Sequence, residues 1–245
     1  MAGSIGQELI DLGGPWLLAF DVDGTLAPIV EDAAKAMVPR STLLKLIELA
    51  GHPRVQVAFL TGRDAPALAR MLPIHDVWRA VDHGLVLLGP GETETPTLSP
   101  SETKALEEYA EFVDSLGIRT ERKERSVGAH IRGIEGGEAR LLDAEREARA
   151  RGFCVRRGRA LIEASFAHGD KAAALEHIVK ATGCHTLLFA GDDLTDLGAI
   201  RVAAKNGIGV FVESDEGPDA PPEARIVQGP AGVEVILAEL QFLLR

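Results

Sequence analysis

Apolar runs of strand length alternate with amphipathic stretches at both ends of the chain, and this alternation predicts most of the fold. Trp16–Phe20, Val55–Leu60, 186–190 and 207–212 are near-continuous apolar runs, as expected of strands buried on both faces of a parallel sheet. Between them lie helical patterns at 42–50 and 64–71, the second with Asp64 placed as a cap and Pro66 in the opening turn, where its missing N–H does no harm. Residues 171–181, 196–204 and 232–244 supply later helices. This βαβ rhythm predicts an α/β fold with a doubly wound parallel-sheet core.

The middle of the chain has a different pattern. Residues 89–101 are rich in Gly, Pro, Thr and Ser, a natural place for the chain to leave the core. Ser99 and Glu102 then have capping-box spacing, and Leu106, Tyr109, Val113 and Leu116 recur on one helical face. Strand-like stretches at 118–122, 126–131, 153–156 and 160–165 surround a charged helix at 137–151. The expectation is a small antiparallel sheet with two helices, inserted as a cap at 98–165 between core parts 1–97 and 166–245.

Composition changes this picture in three ways. An aromatic share of 4% within 46% hydrophobic content means that aliphatic side chains fill the interior. The net charge of −11 argues against general nucleic-acid affinity, yet residues 119–159 hold 12 Lys/Arg against 7 Asp/Glu. That basic segment is either a solvated face or a cover for an anionic substrate; single-stranded RNA fits it poorly, since Phe153 is its one aromatic residue and such recognition relies on stacking. Cys154 and Cys184 have no metal-knuckle or disulfide spacing and read as reduced thiols. With no leader-like N-terminus and no apolar run of membrane length, the expected location is the cytoplasm, with no membrane partner.

Four short segments carry candidate chemistry. The apolar strand ending at Phe20 stops abruptly at Asp21, Val22, Asp23 and Gly24. Ligands bind outside the carboxyl ends of strands in open parallel sheets, so both carboxylates would face a site. One Asp can attack phosphorus and the other can pass protons, with Gly24 letting the backbone turn closely around a phosphate; the alternative is a pair of turn-forming Asp residues. The run at 187–190 likewise ends in Gly191, Asp192, Asp193, Leu194, Thr195 and Asp196. Asp192 is the candidate ligand for a hard divalent cation beside Asp21, while Asp196 is either a metal-shell acid or the N-cap of the next helix. Thr61, Gly62 and Arg63 end the second strand, offering a hydroxyl and backbone N–H groups to phosphoryl oxygens. Lys171 opens a helix, where the dipole disfavours a cation unless the charge has a task elsewhere, such as touching a nucleophile and phosphate.

These four pieces in this order resemble the haloacid dehalogenase (HAD) superfamily of phosphotransferases, over residues 16–84 and 169–212. The resemblance implies a Rossmann-like core with an inserted cap, phosphate-ester hydrolysis through a phospho-aspartate, and Mg²⁺ as cofactor. It makes Asp21 the nucleophile, Asp23 the general acid/base, Thr61 the second-motif hydroxyl and Lys171 the third-motif lysine. Asp192, Asp193 and Asp196 become fourth-motif acids around Mg²⁺, joined by Asp21 and Asp23. Within the superfamily the chain is similar to the trehalose-6-phosphate phosphatases, through Val81-Asp82-His83-Gly84, Glu121-Arg122-Lys123, Val127 to Arg132, and Gly158-Arg159 ahead of Glu163. That likeness implies trehalose 6-phosphate as small-molecule substrate, a trehalose-6-phosphate synthase as partner and a monomeric chain. It assigns substrate contacts to Gly62, Arg63 and His83 in the core and to Glu121, Lys123, His130, Arg132 and Glu163 in the cap. Asp82 and Leu197 depart from the family pattern, which has Glu and an acidic residue there.

Glu121, Lys123 and Glu163 suit a polyhydroxylated leaving group, because a carboxylate accepts hydroxyl hydrogen bonds and a lysine donates them. The alternative is that all three are exposed strand charges paired with Arg122, Arg125 or Arg159. His83 and His130 are ligands or structural hydrogen-bond partners. Competing functions are a phosphatase for sucrose 6-phosphate or a mannosyl phosphate, a phosphomutase with a similar cap, and a non-catalytic regulatory relative.

Overall fold

The computed structural model describes residues 4–30, 32, 35–158, 160–214 and 217–245. The chain divides into two units, Met1–Thr95 with Asp170–Arg245, and Pro96–Gly169.

The larger unit carries α1 (Ile5–Asp11), β1 (Trp16–Phe20), α2 (Arg40–Ala50), β2 (Val55–Leu60), α3 (Ala65–Met71), β3 (Trp78–Val81) and β4 (Val86–Leu88) before the break. After the smaller unit, whose elements take the intervening numbers, it resumes with α6 (Lys171–Thr182), β9 (Thr186–Gly191), α7 (Leu197–Lys205), β10 (Gly207–Glu213), β11 (Arg225–Gln228) and α8 (Gly229–Leu243). Its seven strands run in the order β11-β10-β9-β1-β2-β3-β4, parallel throughout except for β4 against β3.

Side chains alternate across this sheet, as the pleat requires. Leu18 and Phe20 join the core shared with α1, α2, α3 and α8, whereas Leu17 and Ala19 join that of α6 and α7. The central strand is therefore apolar on both faces, which explains its unbroken hydrophobic run. Successive connections wind away from β1 on one side through β2 and β3, and on the other through β9, β10 and β11. The reversal between β1 and β9 is the topological switch point at which a doubly wound sheet opens a crevice.

In the smaller unit the elements are α4 (Pro100–Ser115), β5 (Arg119–Arg122), β6 (Ser126–His130), α5 (Gly137–Ala150), β7 (Cys154–Arg157) and β8 (Leu161–Ser165). The sheet order is β5-β6-β8-β7, antiparallel at every pairing. The capping box forms: Ser99 Oγ accepts from the Glu102 N–H at 3.3 Å and Glu102 Oε2 accepts from the Ser99 N–H at 2.8 Å. Both helices cover the sheet face that carries Val127, Ala129, Ile162 and Ala164. Tyr109 is fully buried there, and its hydroxyl donates to the Ala144 carbonyl at 3.0 Å, so the polar tip is satisfied.

Helix α1 and strands β3, β4 and β11 have no counterpart among the elements expected from periodicity, and Val81 to Gly84 is the end of β3 followed by a tight turn. Among the described residues no helix is long and apolar enough to cross a membrane. Arg159 lies outside the described residues.

Candidate active site

Strand β1 delivers Asp21 to the carboxyl edge of the sheet, and the Asp21 N–H continues the ladder by donating to the Ala190 carbonyl at 2.9 Å. The chain then turns back sharply, with the N–H groups of Leu26 and Ala27 both donating to the Val22 carbonyl. Gly24 serves this turn twice over. Its φ is +84°, a region L side chains avoid, and a Cβ there would stand 2.1 Å from Asp192 Oδ2. Thr25, also buried, donates from Oγ1 to Asp192 Oδ1 at 3.3 Å.

Strand β9 brings Asp192 to the same edge, and a one-turn 3₁₀ helix, Leu194–Asp196, bends the loop back. Asp196 Oδ2 accepts from the N–H groups of Asp192 and Asp193 at 3.2 and 3.0 Å. Its carboxylate thus ties down its own loop and makes no capping bond to α7, which begins one residue later at Leu197. Asp196 stands at the N-cap position of α7 without a side-chain capping bond, its carboxylate closing the capping box of the 3₁₀ turn before it.

Lys171 resolves the helix-dipole conflict by folding inward. Its Nζ donates to Asp21 Oδ1 at 2.6 Å and to Asp196 Oδ1 at 2.7 Å, with the side chain only 3% exposed. The helix start is served by Asp170, whose carboxylate accepts from the N–H groups of Ala172 and Ala173. Asp21, Asp192 and Asp196 each offer an oxygen within 4.8 Å of the others. Three carboxylates and one ammonium leave the cluster formally two charges negative. Burial is the largest influence on Asp21 and raises its carboxyl well above 3.8; Lys171 opposes this, while Asp196 and Asp192 reinforce it. Asp192 is pushed up to about 7, first by burial and then by the Asp196 charge. Burial also works against the ammonium of Lys171, but Asp196 and Asp21 outweigh it and raise its pKa. A buried, electron-rich group of hard oxygen donors suits a divalent cation of the Mg²⁺ type.

Asp23 and Asp193 stand outside this group. Asp23 is held by Arg63 in a two-pronged bridge, Nε to Oδ2 at 2.6 Å and Nη2 to Oδ1 at 2.5 Å. Asp193 is exposed. Thr61 is buried, but two of the N–H groups expected to face a phosphate are used internally: that of Thr61 donates to the Ala80 carbonyl, and that of Arg63 to Thr61 Oγ1. The phosphate cradle foreseen from those N–H groups is corrected to this extent, because the sheet continues one residue past β2.

The two departures from the family pattern have physical accounts. Asp82 has φ +49°, a left-handed conformation that Asp adopts more readily than most side chains. Leu197, the first residue of α7, packs against the apolar core beside α6 and α7.

A second set of polar groups lies within the smaller unit. Register aligns Glu121, Gly128, Glu163 and Arg156 in one row across β5, β6, β8 and β7, on the face away from its helices. Glu163 is buried, accepts from Lys123 Nζ and Ser126 Oγ at 2.7 Å each, and has Arg156 Nη1 at 3.5 Å. Glu121 Oε2 meets His130 Nε2 at 2.8 Å. That hydrogen bond is the main reason its carboxyl is held down to about 2, with Lys123 assisting against the effect of burial. The pairings foreseen with Arg122 and Arg125 do not form, since Arg122 bridges Asp114 and Glu107 while Arg125 donates to the Pro96 carbonyl. Arg132 is exposed beyond the end of β6. Arg156, Ser126 and Thr25 are partners that sequence reasoning missed; strand alternation signalled Arg156 and Ser126, but register alone joins them to Glu163.

A family model described as Trehalose-phosphatase matches residues 19–227. Over 244 residues the chain is 28% identical to a trehalose-phosphate phosphatase of Mycobacterium tuberculosis, covering 92% of this chain and 61% of that protein. The chain spans 54–61% of the length of the mycobacterial trehalose-phosphate phosphatases it matches. Among solved structures, the C-terminal domain of Candida albicans trehalose-6-phosphate phosphatase superposes with a TM-score of 0.79 at 22% identity, covering 98% of both chains. The C-terminal domain of the Candida albicans trehalose synthase regulatory protein gives a TM-score of 0.72 at 12% identity, covering 98% of this chain and 99% of that one. At such identities these structural matches show the fold alone.

Proposed function

The chain belongs to the trehalose-phosphatase family, and from that premise we propose that it hydrolyses trehalose 6-phosphate to trehalose and phosphate through a phospho-aspartate on Asp21. The observation that carries the reading is the buried Lys171 ammonium shared by Asp21 and Asp196, with Asp192 beside them, at the switch point of the sheet. A cation held at 2.6 Å on one Asp21 oxygen leaves the other oxygen to attack phosphorus. As the P–O ester bond breaks, the leaving sugar oxygen takes a proton from the Asp23 carboxyl. Water then attacks the aspartyl phosphate, giving its proton to Asp23 and restoring Asp21. Arg63 takes one lone pair on each Asp23 oxygen, orienting the carboxyl while a second pair on each oxygen stays available. Asp21, Asp192 and Asp196 would hold Mg²⁺, which when bound offsets the negative charge shared by nucleophile and phosphate.

Metal affinity should follow the protonation of the site. Asp192 has a folded pKa of about 7 against 3.8 unperturbed, so the folded state binds more protons than the unfolded one in that window. The metal-free fold therefore loses stability as pH rises through it, and Mg²⁺ must displace the extra proton at the lower end. Melting curves should show a larger Mg²⁺-dependent rise in Tm at about pH 8 than at about pH 5. An equal rise at both would remove the carboxylate cluster as the binding site.

Sugar recognition is assigned to residues 98–165 acting as a cap, with Glu121, Lys123 and Glu163 reading the hydroxyls and His130 and Arg156 supporting them. Support comes from the polar row on the sheet face away from the helices, where charges are fixed by their neighbours rather than left to solvent. A cytoplasmic monomer that draws its substrate from a trehalose-6-phosphate synthase belongs to the same reading, on the strength of the family alone. Phosphate release from a panel of sugar phosphates, with and without Mg²⁺, is the test. Trehalose 6-phosphate should be preferred, and Glu163→Ala should lower its turnover relative to p-nitrophenyl phosphate by on the order of 100-fold, because the aryl leaving group offers no hydroxyls. Preference for sucrose 6-phosphate or a mannosyl phosphate would move the substrate assignment. Absence of turnover on every ester would favour a regulatory role, which the shared fold of a regulatory protein makes a concrete alternative.

A further inference from the structure

The turn between β3 and β4 is strained, and the phosphoryl-transfer scheme leaves it without a task. Asp82 and His83 both hold left-handed backbone, with φ of 49° and 59°, and Gly84 follows at 94°. A run of this kind persists only where its surroundings over-determine it.

Those surroundings are the groups beside the candidate site. The Asp82 N–H donates to the Arg63 carbonyl at 2.9 Å and the His83 N–H to the Thr61 carbonyl at 2.7 Å, so the turn grips the backbone on both sides of Gly62. The His83 ring lies against Gly62 itself, where a Cβ would come within 2.3 Å of Nε2. On its far side the turn rests on the start of α6, since a Cβ at Gly84 would meet the Asp170 carbonyl at 2.8 Å and the Ala174 Cβ at 3.0 Å. Lys171 sits at that helix start, and Arg63 reaches from the gripped loop to Asp23. One rigid turn thus links the backbone that carries Arg63 with the backbone that carries Lys171.

We propose that His83 is a positioning residue: its ring, wedged on Gly62 by the strained turn, holds the Arg63 guanidinium on Asp23. The catalytic consequence rests on the reading of Asp23 as acid/base, but the positioning itself does not. His83→Asn keeps a side chain that tolerates the left-handed region while removing the ring, and His83→Gly relieves the strain as well. In ¹⁵N NMR spectra the Arg63 Nε–H, which donates to Asp23 Oδ2 at 2.6 Å, should give a slowly exchanging resonance in the parent protein. That resonance should shift and broaden in both variants, with p-nitrophenyl phosphate turnover lowered on the order of 10-fold and KM little changed. Gly62→Ala should do the same by pushing on the ring, and should add little in the His83→Gly background, where its methyl has room.

An unchanged Arg63 resonance in both His83 variants overturns the proposal, and so does a fall in Tm without that spectral change, which would mark a structural role only. A loss confined to trehalose 6-phosphate would make His83 a sugar contact and also overturn it. A parent protein that shows the Arg63 signal, loses it in the variants and hydrolyses no ester would uphold the positioning while sinking the catalytic reading.

Discussion

Asp21→Asn will fold as the parent does and release no measurable phosphate from any ester the parent hydrolyses. An amide matches the carboxylate in shape but cannot form the aspartyl phosphate, so turnover should drop by at least about 10⁴-fold. Stability should move the other way. Burial raises the Asp21 carboxyl well above 3.8, and Asp196 and Asp192 add to the effect of burial against the pull of Lys171. An acid whose folded pKa is raised costs stability above its unfolded value, because the fold then carries a charge it disfavours. A neutral amide removes that cost, and Lys171 keeps Asp196 as its partner at 2.7 Å. In the absence of metal, the Tm of Asp21→Asn at about pH 8 should therefore be no lower than that of the parent, with the difference vanishing at about pH 4. Turnover above about 1% of the parent in a folded variant would sink the covalent scheme. A lower Tm at pH 8 would show that the Lys171 pairing outweighs desolvation.

Lys171→Met should be the most destabilising single change at the site. The ammonium is the cation that the described residues place among three buried carboxylates, in contact with Asp21 and Asp196. Removing one partner from a buried ion pair typically costs about 3–5 kcal/mol, since the remaining charge is left uncompensated. For a chain of 245 residues that corresponds to a fall in Tm of roughly 6–20 °C. The penalty should be greatest above pH 7, where Asp192 with its pKa of about 7 is ionised, and should shrink as protonation discharges the cluster. Mg²⁺ should recover part of the lost stability by supplying the missing positive charge, but not turnover, because Asp21 loses its hydrogen-bond donor. Melting curves at several pH values with and without Mg²⁺ measure this directly. A Tm within about 2 °C of the parent at pH 8 would mean that the acids avoid one another when Lys171 is gone, and that the cluster has little electrostatic coupling.

Much of the larger unit was legible before folding because its signals are local. A strand buried on both faces must be apolar along its buried stretch; β1 is so throughout, and β2, β9 and β10 are broken only by Gln56, Thr186 and Glu213 at or near their ends. Asp64, like Ser99 in the smaller unit, announces a helix start through a bond to an N–H group three residues away. Elements stabilised from outside escaped notice. Helix α1 has seven residues, too short to declare itself by periodicity, and is held by packing on α8. Strand β11, Arg225–Gln228, is a largely exposed edge that among the described residues pairs with β10 alone. In the smaller unit the strands were readable by alternation, but their order β5-β6-β8-β7 was not, and that order is what joins Glu163 to Lys123, Ser126 and Arg156.

By itself the sequence determined which residues end buried strands, that those ends carry carboxylates, a threonine and an arginine, and that a lysine opens a helix against its dipole. These are statements about neighbours along the chain, where spacing and residue type suffice. Tertiary structure alone decided which of the acids meet. Lys171 bonds to Asp21 across 150 positions and to Asp196 across 25, and neither distance is written in any local pattern. The winding of the sheet around β1 brings Asp192 and Asp196 beside Asp21, while Asp23, two residues away, is drawn to Arg63 instead. Burial then sets the chemistry, because a carboxyl is raised well above 3.8 only once the fold has taken it out of water and crowded it with like charges.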